Sequence, residues 1–125
     1  MTFRKILLIF FFLSNISCAN AELVPYGDNL QFDKDSILIL KNPTRVTFTI
    51  YYNLEDNKFY KSNIVVNCSN QTFYSNGLDS YVDQNLKYIS SVPISTATPT
   101  KDNPSDLTKY SLPHVMYLMH CLKKE

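Results

Sequence analysis

Over residues 45–52 every second position is apolar. Val46, Phe48, Ile50 and Tyr52 share one face, and Arg45, Thr47, Thr49 and Tyr51 share the other. That period predicts a half-buried β-strand. Residues 36–40 (SILIL) precede it, and Lys41-Asn42-Pro43-Thr44 has turn chemistry, so the two runs form an antiparallel hairpin. The polar stretch 53–58 reads as a loop. Residues 59–68 follow as a third strand, with Ile64, Val66 and Cys68 on one face, and 71–74 as a fourth strand paired with it. Weaker strand patterns lie at 23–26, 30–32 and 86–89. Asn76-Gly77 suits either a hairpin turn or a loop.

The period changes near the C-terminus. Val115, Leu118 and Leu122 recur at three- and four-residue steps behind Pro113, with Met119 beside them. Proline suits the first helical turn and Lys123-Lys124 suits the last. A helix is expected over 113–122, its apolar stripe lying on the sheet. Between sheet and helix, 91–106 is rich in Pro, Ser and Thr and reads as a surface loop. The fold class is α+β: an antiparallel sheet of five or six strands, one C-terminal helix packed on a face, and one disulfide.

The first twenty-one residues stand apart. Arg4 and Lys5, the apolar run at 6–13 and Ala19-Asn20-Ala21 have the form of a secretory signal cleaved after Ala21. Eight apolar residues are too few to span a bilayer, which needs about 20, so no transmembrane anchor is expected. Lipidation at Cys18 is the rival processing. Asn15 fits its usual pattern badly, where leucine is common. Residues 22–125 then form one domain. Loss of the signal leaves two of the three cysteines, Cys68 and Cys121, and an oxidising compartment would join them. Two free buried thiols are the alternative.

Of the 12 Lys and Arg residues, Arg4 and Lys5 leave with the signal, and the ten that remain face 11 Asp and Glu. A chain so balanced lacks the clustered cations that nucleic acid requires.

No catalytic set emerges. The two glycines, Gly27 and Gly77, lie in no phosphate-binding loop. His120 adjoins Cys121, but neighbours on a helix do not face each other. Two cysteines and two histidines without ligand spacing make no metal site. Asp33 with Asp35, and Asp79 with Asp83, read as structural carboxylates and not as acid–base pairs, Asp33 having turn chemistry. No enzyme activity and no cofactor are expected. The surplus is aromatic: nine tyrosines and no tryptophan. Tyrosine offers contact area and a hydroxyl at small entropic cost. Tyr51, Tyr60, Tyr74 and Tyr81 are the candidate partner-binding residues; the alternative is that about half of the tyrosines fill the second sheet face or a homodimer seam.

The chain resembles the bacterial surface-adhesin protein E-like family. The likeness rests on the exported N-terminus, on Phe32-Asp33-Lys34-Asp35-Ser36-Ile37, on Tyr60-Lys61-Ser62 leading to Cys68, and on a proline-opened helix ending at Cys121. It runs over most of residues 22–122. The resemblance implies a disulfide-bridged sheet-plus-helix domain in the periplasm or at the cell surface. It implies an adhesin-like protein partner outside the cytoplasm. A periplasmic inhibitor or an accessory subunit of an envelope complex, plugging a cleft with the 91–106 loop, is the alternative.

Overall fold

The run with the strictest alternation becomes the axis of the sheet. The computed structural model describes residues 22–93, 95 and 97–122. The signal, its Ala21 cleavage point, Cys18 and Lys123-Lys124 lie outside them. The strands, in chain order, are β1 (Leu23–Pro25), β2 (Leu30–Asp33), β3 (Leu38–Leu40), β4 (Arg45–Asn53), β5 (Lys58–Asn67), β6 (Thr72–Ser75), β7 (Ser80–Asp83), β8 (Tyr88–Ser91) and β9 (Ser105–Asp106). Helix α1 (Leu112–Met116) continues as a π-helical turn, Tyr117–Cys121.

β4 and β5 pair antiparallel along their length, from Arg45 opposite Asn67 to Asn53 opposite Phe59. Asp56 and Asn57, at φ 61° and 56°, make the reversal; Asp and Asn enter this left-handed region more readily than most residues. Each outer edge of the hairpin carries two short strands end to end. β2 pairs with the 50–52 end of β4 and β3 with its 45–47 end. β7 pairs with the 58–61 end of β5 and β6 with its 64–67 end. β1, β8 and β9 extend β2, β7 and β6.

The described residues thus hold nine strands, more than the five or six expected. The ten-residue β5 leaves room for two strands on one edge. The 91–106 stretch is also not wholly loop: its first residue ends β8, and β9 joins the sheet through backbone hydrogen bonds that need no apolar side chains. The Ser75 amide donating to the Pro99 carbonyl (3.0 Å) ties the stretch down between them. β6 and β7 both pair with β5 and not with each other, so Asn76-Gly77 is a loop and not a hairpin turn.

The helix buries one end of the hairpin. Val46, Phe48, Ile50, Ile64 and Val66 meet Leu112 and Met116 there, all nearly inaccessible to solvent. Each such side chain contributes about 1.5–3 kcal/mol by leaving water. The residues facing inward differ from the expected Val115, Leu118 and Leu122 stripe. Leu112, Met116, Tyr117 and Cys121 turn toward the core, whereas Leu118, Met119 and Leu122 are exposed. The π turn takes more than 3.6 residues per turn and rotates Leu118 and Leu122 outward. The Ser111 hydroxyl caps α1 by accepting from the His114 amide at 3.3 Å. Cys121 forms the expected bond to Cys68, with Cα atoms 5.4 Å apart. Among the described residues no helix is long and apolar enough to cross a membrane.

Candidate binding site

The four tyrosines singled out from sequence do not share a face. Tyr51 and Tyr74 point away from the helix, as their register against Lys61 and Val65 requires. Tyr60 and Tyr81 are cross-strand partners on the helix side. Tyr51 is only 4% exposed, so its expected role as an exposed contact is corrected. Phe59 meets its ring edge-on at 5.9 Å, and the long side chains of its strand partners Gln31 and Lys61 stand on either side. A lysine stem of this kind readily covers apolar surface. Tyr74 is half-buried beside Lys101 and Pro104, in the segment that folds back over β6.

Tyr60 and Tyr81 belong to a row that also includes Tyr52. Tyr52 on β4 faces Tyr60 on β5, which faces Tyr81 on β7. Ring centroids lie 6.1 Å and 6.0 Å apart, with interplanar angles of 70° and 82°. Edge-to-face pairs of this geometry are favourable beyond their buried area. The row occupies the same sheet face as the helix but lies past the residues the helix covers. Tyr52 is 42% exposed, and Tyr60 and Tyr81 are half-buried.

A buried carboxylate fixes the middle ring. Asp79 is 8% exposed. Its Oδ2 accepts the Tyr60 hydroxyl at 2.5 Å, and its Oδ1 accepts Ser62 Oγ at 2.7 Å and Ser75 Oγ at 2.9 Å. Ser62 comes from β5, Ser75 ends β6, and Asp79 immediately precedes β7. The cluster therefore joins the three strands where β6 and β7 part. Bonds to a carboxylate are stronger than neutral ones, and a buried acceptor with three donors is well satisfied.

Burial, together with the hydrogen bond to Asp79, pushes the Tyr60 phenol far above its ordinary 10.0. Burial first, then a nearby carboxylate, also raises Tyr51 and Tyr52. The folded state holds these protons more tightly than the unfolded chain does. Their contribution to stability is complete below the ordinary phenol value and falls as pH rises past it. We expect stability to drop above about pH 10, and to drop less in Tyr60→Phe. Equal alkaline profiles in urea titrations of the two proteins would contradict this.

The remaining candidates take structural roles. Asp33 accepts from the Asp35 amide at 3.0 Å in a 3₁₀ turn, and Asp83 accepts from the Asn85 and Lys87 amides. His114 stacks on Tyr117 at 6.3 Å. Among the described residues no group of three or more His, Cys, Asp or Glu is placed to hold a metal. The sequence reading missed Tyr52, Asp79, Ser62 and Ser75. The alternation had placed Tyr52 on the helix side, so the hairpin register was the missing signal for it. No protein-family model, no curated protein and no solved structure matches the chain.

Proposed function

We propose that the chain is an exported, non-enzymatic binding domain that contacts a protein partner outside the cytoplasm through the Tyr52–Tyr60–Tyr81 face. The observation that carries this reading is the row itself: three tyrosines on three strands, the central one anchored by a buried carboxylate. Binding costs side-chain entropy, and rings already ordered lose less of it. Tyrosine is enriched among residues that dominate interface energy. A phenol held this firmly on its proton is ill suited to acid–base chemistry near neutral pH, which favours binding over catalysis. A disulfide is the cross-link of an oxidising compartment, and it supports export. The resemblance in residue pattern to the surface-adhesin protein E-like family favours a role at the cell surface.

One observation favours an accessory subunit held by strand addition. β3 pairs with β4 alone among the described strands, and its Leu38, Ile39 and Leu40 are all exposed. Such an apolar edge is a template for another strand.

Capture from envelope and extracellular fractions by the oxidised chain separates the two. On the first reading, joint Tyr52→Ala and Tyr81→Ala replacement lowers capture of a specific partner at least tenfold, and joint Leu38→Lys and Leu40→Lys replacement leaves it unchanged. The opposite pattern assigns the contact to the β3 edge. Unchanged capture by both variants contradicts both readings.

A further inference from the structure

A second surface lies on the other side of the helix, away from the tyrosine row. An open groove of about 590 Å³ runs between α1 with its π turn and the strands β1 and β2. Val24, Phe32, Ile37, Val115 and Met119 line it with apolar surface, above the buried Met116. Two of its lining side chains are basic, Lys34 and His120, and none is acidic. Lys34 supplies an ammonium at the groove's rim. Its ion pair with Glu22 spans 4.0 Å between side chains each about three-fifths exposed, a weak tether from which the ammonium is readily drawn. His120 Nε2 is buried and has no hydrogen-bond partner.

An apolar cleft of this size with a few convergent polar groups has the form of a small-ligand site. Its polar groups set the ligand's chemistry. An anionic head complements the Lys34 ammonium. The rest of the groove offers nothing to a polar body but suits a hydrocarbon chain. We propose that this groove binds a free single-chain carboxylic acid, its acyl chain along Phe32, Val115 and Met119 and its head at Lys34. Glu22 then competes with the head for Lys34, so Glu22→Gln tightens binding and Lys34→Glu weakens it.

Calorimetric titration of the oxidised chain with dodecanoate, below its micelle concentration, tests the site, with dodecyltrimethylammonium as the cationic probe of equal chain length. The expected result is saturable one-to-one binding of dodecanoate, at least tenfold tighter than that of the cation. Lys34→Glu removes or inverts that preference. Met119→Asp, at an exposed position where folding tolerates a charge, weakens dodecanoate at least tenfold. No saturable binding overturns the proposal, as does equal affinity for both probes or an unchanged affinity in Met119→Asp. Sedimentation with phosphatidylglycerol vesicles without binding of free dodecanoate also overturns it, because the ligand source is then a membrane. Capture of a protein partner through the tyrosine row is read separately and is unaffected by either result.

Discussion

Joint replacement of Cys68 and Cys121 by alanine should cost the fold about 4 kcal/mol, the entropy of closing a loop across a separation of 53 residues. Small domains hold only about 5–15 kcal/mol in total, so this loss decides whether the chain folds at physiological temperature. The local structure explains why the bond matters so much here. The helical segment is only ten residues long, and isolated helices of that length are marginal in water. Its C-terminal part leaves Leu118, Met119 and Leu122 exposed and so gains little from burial. Without the tether the segment detaches, and Val46, Phe48, Ile64 and Val66 meet water. Urea denaturation with and without reductant measures this. A midpoint shift equivalent to less than about 1 kcal/mol would show that packing alone holds the helix.

Asp79→Ala should cost about 3 kcal/mol, nearly as much, although it removes a polar side chain. The replacement takes the acceptor from three hydroxyls, two of them on buried serines. A buried donor without a partner costs about 1–3 kcal/mol. Ser62 Oγ and Ser75 Oγ, 3.3 Å apart, can bond each other and so limit the total. Asp79→Asn should cost about half as much, because the amide keeps one acceptor oxygen but turns a donor toward other donors. In Asp79→Ala the Tyr60 phenol should also move back toward its ordinary value, since one cause of its shift is gone. Denaturation gives the first quantity and ultraviolet titration of the tyrosines the second. An Asp79→Ala protein as stable as the parent would remove the anchor from the account.

The sheet's spine was legible in the sequence because β4 is long and its alternation regular. A nine-residue strand leaves one choice of face, and Val46, Phe48 and Ile50 are buried as that choice requires. The β3–β4 hairpin and the β5–β6 pairing followed from turn residues of the expected kinds. β9 was not legible, because Ser105-Asp106 carries no apolar signal and pairs through backbone alone. Alternation also failed at Tyr51. It assigned the correct face but not the burial, which depends on neighbours from other strands. The site was half visible. Tyr60 and Tyr81 stood out by residue type, but joining them to Tyr52 needs the register. Asp79 read only as a structural acid because nothing local announces that Ser62 and Ser75 converge on it. The helix stripe was misjudged at Leu118 and Leu122, where a π turn replaced the assumed α spacing.

The helix-side face of the hairpin is divided, one part sealed beneath the tethered helix and the other presenting an ordered tyrosine row. A one-residue slip in register would exchange the faces and put Tyr51 where Tyr52 stands. Residue-resolved nitration of the folded, oxidised chain, mapped by mass spectrometry, reads that arrangement directly. Tyr52 should react along with the exposed Tyr88 and Tyr110, while Tyr51 stays unmodified until denaturant is added. Modification of Tyr51 ahead of Tyr52 would contradict the register, and the binding face with it.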